Sequence, residues 1–247
     1  MRLDRYLSET GAASRSEAGK LIRAAKVSVD GKTVRDPSCH IDPASAKVTL
    51  DGTALVWRRF TYVMLNKPAG YVSSTEDRGP VVMELLPPQL RRLRLFPCGR
   101  LDIDTVGFLL LTNDGMLAHE LLSPRHHVDK VYRFSCEPPI REETRMRLEN
   151  GVDIGGCVTR PAEVRLYADA AGSAGEITLR EGRFHQIKRM FAACGSGITS
   201  LERICFAGVP LDASLPRGEW RYLTEREETL LRRAAGREEN TADGQTE

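Results

Sequence analysis

The ten residues Cys98-Gly99-Arg100-Leu101-Asp102-Ile103-Asp104-Thr105-Val106-Gly107 run straight into the apolar stretch Phe108-Leu109-Leu110-Leu111 and then into the turn Thr112-Asn113-Asp114-Gly115. This is a polar, glycine-flanked loop that delivers an arginine and an aspartate beside a buried strand. Loops held by a rigid strand are where catalytic groups tend to sit. Such a strand needs a core to bury it, and 247 residues suffice for one large domain or a small one plus a medium one. A composition of 41% hydrophobic and 28% charged residues is that of a globular chain, so wholesale disorder, collagen-like and coiled-coil architectures are excluded. An aspartate in such a loop is ordinarily a turn-former or an ion-pair partner, and Asp104 fits that description. Asp102 is set apart by the rest of the chain.

Thr61-Tyr62-Val63-Met64-Leu65 reads as a buried strand entering the turn Asn66-Lys67-Pro68-Ala69-Gly70, where proline and glycine stop regular structure. Lys130-Val131-Tyr132-Arg133-Phe134 alternates and offers Tyr132 on a face with basic neighbours, although a lone strand tyrosine is most often core packing. Gly182-Arg183-Phe184-His185-Gln186-Ile187-Lys188-Arg189-Met190-Phe191 turns from a glycine into a helix. Its Ile187, Met190, Phe191 and Cys194 are core-spaced, and Gly195 stands where a C-terminal cap belongs. A last helix starts at Thr224 in a capping box with Glu227 and carries Leu230 and Leu231, after which residues 232–247 are polar and expected to form a disordered tail.

Charge becomes informative once it is divided along the chain. The overall balance is only +2, which excludes a uniformly basic coat, yet Arg2, Arg5, Arg15, Lys20, Arg23, Lys26, Lys32 and Arg35 against Asp4, Glu9, Glu17 and Asp30 leave +4 in residues 1–35. Leu3, Tyr6 and Leu7 share one face of a short helix that Gly11 is placed to end. Ser14-Arg15-Ser16-Glu17 is a capping box opening a second helix, with Ala18, Leu21, Ile22 and Ala25 on a core face and Arg15, Lys20, Arg23 and Lys26 on the other. Val27-Ser28-Val29-Asp30-Gly31-Lys32-Thr33-Val34 is a hairpin around Asp-Gly, and Asp51-Gly52 repeats the device.

Two short helices, the second basic, leading into a V-x-V-D-G-K-x-V hairpin resemble the S-four-type RNA-binding domain of ribosomal and RNA-modifying proteins, over about residues 1–57. The resemblance implies that Arg5, Arg15, Lys20 and Arg23 contact RNA phosphates, contacts that supply salt-dependent affinity without sequence choice. Beyond a short linker at Trp57-Arg58-Arg59, three motifs occur in order: Asn-Lys-Pro-x-Gly at Asn66, Gly-Arg-Leu-Asp-x-Asp-Thr-x-Gly at Gly99, and Gly-Arg-x-His-Gln-x-Lys-Arg-Met-Phe at Gly182. Together they resemble the pseudouridine synthases of the ribosomal small-subunit type, and Ser123–Tyr132 is most similar to the branch acting on small-subunit ribosomal RNA. The implied domains are residues 1–57 for RNA binding and 58–231 for catalysis. The implied fold class is α+β, the catalytic part built on a largely antiparallel β-sheet flanked by helices.

The resemblance implies an isomerisation of uridine within RNA. The bond from the ribose anomeric carbon to ring nitrogen 1 breaks, the uracil turns, and the same carbon bonds ring carbon 5. One carboxylate is enough, either as nucleophile on the anomeric carbon or as base at the ribose 2′ position, and both roles stay open. Asp102 matches the family's catalytic aspartate. A nearby cation must favour its charged form in a partly desolvated site. The resemblance assigns that cation to Lys188, with Arg189 as fallback, and gives Tyr132 a stacking role on the uracil with assistance to proton transfer as a further one. Arg100 would hold the extruded nucleotide, since chemistry on a base requires taking it out of its stack. Lys67 and Pro68 would shape the pocket, Lys67 among the groups contacting substrate, while His185 and Gln186 are structural or RNA-side residues. Arg91, Arg92 and Arg94, with Arg58 and Arg59, would either extend a phosphate track or stand on solvated surface.

No cofactor is expected, because nothing is imported or oxidised and the chain carries no nucleotide-binding fingerprint. No metal is expected either: His126 and His127 are adjacent without cysteine or carboxylate partners, and the six cysteines are scattered and read as reduced, mostly buried thiols. No stretch approaches the roughly 18 apolar residues of a membrane span, so the expectation is a cytoplasmic monomer whose partner is small-subunit ribosomal RNA or an assembling particle. The competing readings are a large-subunit synthase of the same family, a noncatalytic RNA-binding assembly factor, and a glycosidase. The last would need Asp102 and Asp104 to flank a bond from one short loop.

Overall fold

The computed structural model describes residues 1–237 apart from Pro124 and His127. The chain divides into two compact units, Met1–Thr61 with Met83–Phe96 and Tyr62–Val82 with Pro97 onward.

In the first unit, α1 (Leu3–Glu9) buries Leu3, Tyr6 and Leu7, the face its spacing predicts. Ser14 caps α2 (Arg15–Arg23) through the expected box: its hydroxyl accepts the Glu17 amide hydrogen while the Glu17 carboxylate accepts that of Ser14. The helix closes earlier than its pattern suggests. Ala24 is the C-cap and Ala25 has φ of 61°, so Lys26 leaves the helical face and pairs with Asp51 at 3.3 Å. The hairpins β1 (Val27–Val29) with β2 (Lys32–Val34) and β3 (Val48–Leu50) with β4 (Thr53–Leu55) form one sheet in the order β2-β1-β3-β4. Both Asp-Gly turns have positive φ at both residues, the geometry that matches strand twist in a two-residue hairpin. The short α3 (Pro88–Arg92) belongs to this unit. There Arg91 donates to the carbonyls of Leu86 and Glu84, and Arg92 to those of Gly11 and Ala12, so these two arginines hold main chain rather than standing free for a phosphate track.

The second unit contains β5 (Tyr62–Lys67), and β6 (Phe96–Pro97) spans its boundary. It continues with β7 (Val106–Thr112), α4 (Gly115–Leu122), β8 (Lys130–Glu137), α5 (Glu142–Asn150), β9 (Glu163–Leu166) and β10 (Ala174–Leu179). It ends with α6 (Gln186–Ala193), β11 (Gly197–Phe206), β12 (Val209–Pro210), β13 (Trp220–Tyr222) and α7 (Glu225–Ala234). The main sheet runs β13-β5-β7-β11-β8-β10-β9, and only the β7–β11 pair in that path is parallel. The fold class is therefore α+β with a largely antiparallel sheet.

The central strands β5 and β7 are buried almost throughout, as their unbroken apolar runs require, whereas β8 alternates buried and exposed residues. β5 continues two residues past Leu65, because Asn66 and Lys67 pair with Phe108 and Gly107; the turn starts at Pro68. Beside the loop of interest, β7 and β11 approach so closely that a Cβ on Gly107 would lie 2.4 Å from the Arg203 carbonyl oxygen. Only glycine, here at φ 97°, fits that crossing. In α6, Ile187, Met190 and Phe191 are buried at the expected spacing, with Phe191 edge-on to Phe134 of β8.

The expected boundary at 231 falls inside the last helix. α7, with the capping box of Thr224 and Glu227, runs to Ala234, and the Arg237 guanidinium meets Glu120 at 2.5 Å and Asp114 at 3.6 Å; residues 238–247 lie outside the described residues. All six cysteines are free, but only Cys98 and Cys136 are fully buried, fewer than expected. No helix among the described residues is long and apolar enough to cross a membrane.

Candidate active site

The loop before β7 is fixed by its backbone. Lys67, the last residue of β5, points inward and is completely buried. Its ammonium donates to the carbonyls of Pro68 (3.1 Å), Asp102 (3.1 Å), Ile103 (3.2 Å) and Thr105 (2.9 Å). The Ser73 hydroxyl donates to the Leu101 carbonyl at 2.9 Å and accepts the Leu101 amide hydrogen at 3.1 Å, while the Gly70 amide donates to the Ile103 carbonyl. Burial lowers the Lys67 pKa to about 8 against the pull of Asp104 and Asp102. Lys67 therefore cannot reach RNA, contrary to its expected place among substrate contacts; it holds the loop that carries Asp102. Ser73 escaped sequence reasoning because a single serine in a polar stretch gives no signal.

Onto this loop α6 brings its first-turn cation. Lys188 Nζ lies 3.2 Å from Asp102 Oδ2 and 2.5 Å from Asp104 Oδ1. Burial pushes the Lys188 ammonium down, but hydrogen bonds to Asp104 and Asp102 outweigh it and hold its pKa above the ordinary lysine value. The same bond to Lys188 holds the Asp104 carboxyl below the usual carboxylate range. His185, the N-cap of α6 in a left-handed conformation, puts Nε2 3.7 Å from Asp102 Oδ1. The structure thus adds Asp104 and His185 to the cluster. Their signals were present as the second aspartate of Asp-x-Asp and the histidine three residues before Lys188.

A cavity of about 870 Å³ opens between these groups and the face of β8 and β11. Tyr132 lines it with Arg203 as its cross-strand neighbour, so Asp102, Lys188 and Tyr132 share one cavity. Beneath lie two cations that sequence reasoning missed. Arg203 is 1% exposed and donates from Nε to the Phe108 carbonyl at 2.7 Å; Lys130 donates to the Val128 carbonyl, and burial together with Arg203 lowers its pKa to about 8. Both face the Phe206 ring. A basic residue inside an alternating strand looks like a solvated position in sequence, which is why they were overlooked.

Arg100 is exposed and lines the cavity. Arg189 does not line it: its guanidinium donates to the carbonyls of Ile154 and Phe184, so it cannot serve as the fallback partner of Asp102. Gln186 is buried and structural, accepting the Arg183 amide hydrogen and donating to Glu181. His126 is exposed and His127 lies outside the described residues. On the first unit, Arg5, Arg15, Lys20 and Arg23 are all exposed, and Arg5 pairs with Glu9 at 2.6 Å.

Comparison with known proteins places this geometry. Residues 61–193 match the RNA pseudouridylate synthase family, and residues 1–44 match the S4 domain. The chain is 44% identical over 94% of its length to an uncharacterized RNA pseudouridine synthase, YtzG, of Bacillus subtilis, covering 98% of that protein. It is 40% identical over 92% of its length to the ribosomal small subunit pseudouridine synthase A of Escherichia coli, covering 98% of it. A solved crystal structure of a pseudouridylate synthase superposes with a TM-score of 0.66 at 35% identity, over 94% of this chain and 99% of that one. The chain belongs to the RNA pseudouridylate synthase family, whose members isomerise uridine to pseudouridine.

Proposed function

We propose that this enzyme acts on a specific uridine of small-subunit ribosomal RNA, as a cytoplasmic monomer meeting free RNA or an assembling particle, and that Asp102 carries the chemistry. The observation behind the chemistry is the Asp102–Lys188 pair inside a cavity shared with Tyr132. The target RNA is supported by the 40% identity, over nearly the full length, to a relative named for the small subunit.

In this reading Asp102 either attacks the ribose anomeric carbon or removes the 2′ proton, and the bond to ring nitrogen 1 breaks. Lys188 is the counter-ion paired with the carboxylate. Tyr132 stacks on the freed uracil while it turns, and ring carbon 5 then bonds the anomeric carbon, breaking the bond to the Asp102 carboxylate on the first route, or with Asp102 returning the proton to the 2′ carbon on the second. Loss of the proton from carbon 5 and gain of one at nitrogen 1 leave an isomer of the starting RNA, so the balance needs no cofactor. Arg100, at the cavity rim, holds the extruded nucleotide, and Arg5, Arg15, Lys20 and Arg23 grip phosphates with the N-terminal domain, residues 1–57.

The test is reaction of the purified protein with small- and large-subunit ribosomal RNA, read by carbodiimide mapping. Pseudouridine at one small-subunit position is expected, and none with Asp102→Ala. Product in the large-subunit RNA alone would reassign the target, and undiminished product from Asp102→Ala would remove Asp102 from the mechanism.

A further inference from the structure

Phe184 occupies a place that neither the fold nor the chemistry above explains. It is 75% exposed, the most solvent-exposed large apolar side chain among the described residues, yet it lines the cavity that holds Asp102. Large aromatic side chains contribute to folding by being buried, and this one is not. Among the described residues its ring stacks on His185, at 3.8 Å between centroids and 18° from parallel, and His185 in turn reaches Asp102. His185 thus stacks on one face of the Phe184 ring while its own edge nitrogen reaches the carboxylate, and most of the Phe184 side chain is left open to solvent.

The turn beneath it is braced at several points. Gln186 accepts the Arg183 amide hydrogen at 2.9 Å and donates to Glu181 at 2.7 Å. Glu181 also accepts the Arg160 amide hydrogen, and Arg189 donates to the Phe184 carbonyl. These bonds fix where the side chain leaves the turn, and the His185 stack supports one face of its ring. The same cavity is lined by Ile103, 53% exposed and one residue from Asp102, and by the cations Arg100 and Arg183, the latter paired with Glu181 at 3.1 Å.

An RNA base must leave its stack for the anomeric carbon to meet a carboxylate inside a cavity, and the bases it leaves expose their faces at a cost of a few kcal/mol. Aromatic side chains recover such energy by stacking on any base. We propose that Phe184, backed by His185, is a positioning residue that stacks on the base next to the target uridine when that uridine swings in toward Asp102. Phe184 stabilises the opened RNA; it does not touch the reacting atoms. This inference rests on the assignment of the cavity as the uridine site.

The experiment compares kcat/KM of wild type, Phe184→Ala, Phe184→Leu and Phe184→Trp on two RNAs. One is the natural segment; in the other, abasic sugars replace the nucleotides on both sides of the target uridine, so no neighbouring base is left to cover. Phe184→Ala and Phe184→Leu should each lose about tenfold or more on the natural RNA, on the scale of base–aromatic stacking, and Phe184→Trp should recover most of the loss. On the abasic RNA the four proteins should converge to within about threefold. Equal losses on both RNAs, full activity of Phe184→Leu, or less than twofold loss for Phe184→Ala would overturn the proposal. Because the side chain is exposed, none of the changes threatens the fold. A wrong choice of target RNA removes product for all four proteins alike, whereas a wrong role for Phe184 leaves product and flat ratios.

Discussion

The Lys67 ammonium donates to the main-chain carbonyl of Asp102 at 3.1 Å, and to three neighbouring carbonyls besides, from a position with no solvent exposure. The loop thus takes its shape from a buried cation on the preceding strand. Lys67→Met keeps the apolar stem but leaves buried acceptors unpaired, each worth about 1–3 kcal/mol. It should lower stability by ~2–4 kcal/mol in urea unfolding and reduce kcat more than it raises KM. The pH dependence has a definite sign. Lys67 has a pKa of about 8 in the fold against 10.5 ordinarily, so between these values the unfolded chain binds more protons and Lys67's contribution to stability rises with pH. The stability gap between wild type and Lys67→Met should widen from pH 8 to 10, and a gap that narrows would contradict the burial of a charged amine.

Lys188 is shared between two carboxylates, and Asp104 is the nearer. Asp104→Asn removes the stronger of the bonds that offset burial, so the Lys188 pKa should fall toward or below the ordinary value. If the charged ammonium is needed for turnover, the basic limb of kcat/KM should move to lower pH in Asp104→Asn relative to wild type. Activity near pH 7 should change by less than about tenfold. Superimposable profiles from pH 7 to 10 would mean that Lys188 charge does not limit the reaction.

Tyr132 sits on β8 opposite Ile177 on one side and Arg203 on the other, with 9% of its surface exposed. Tyr132→Phe keeps the ring and the packing; Tyr132→Leu keeps only apolar bulk. If the ring stacks and the hydroxyl assists proton transfer, Tyr132→Phe should keep KM within about threefold while kcat falls, and Tyr132→Leu should lose both. Unchanged kcat in Tyr132→Phe would restrict the residue to stacking.

What could be read from the sequence was whatever has a local cause. The capping boxes at Ser14 and Thr224 and the Asp-Gly hairpins formed as expected, because each depends on residues within a few positions of one another. Motif order likewise brought Asp102 and Lys188 into one family pattern before they were seen 3.2 Å apart. The failures have a long-range cause. In sequence Lys67 reads as a turn residue beside substrate, because only pairing with β7 shows that it ends a strand and faces inward. Arg203 and Lys130 are buried where β11 pairs with β8, a strand distant in sequence, and nothing near either residue announces that burial. Helix ends differ for a similar reason: α2 stops before Lys26 because the chain must turn into β1, whereas α7 runs past Leu231 because Ala235, 2% exposed, continues its buried face and Arg237 is tied to Glu120 of α4.

The basic face of α2 gives the last prediction. Arg15, Lys20 and Arg23 are exposed, and none is ion-paired among the described residues, unlike Arg5, which Glu9 partly neutralises. Substitution is a cleaner probe here than truncation at residue 57, because residues 83–96 group with the same compact unit and would lose their support. Each cation that displaces a counterion from RNA contributes about 0.7–0.9 to the slope of log K against log salt. Arg15→Gln, Lys20→Gln and Arg23→Gln combined should therefore weaken binding to ribosomal RNA at low salt and flatten that slope by about 2. If these groups contact phosphates and not the reacting uridine, the rate at saturating RNA should stay close to that of wild type. Filter binding from 50 to 300 mM salt reads the slope, and an unchanged slope would move the phosphate contacts off this helix.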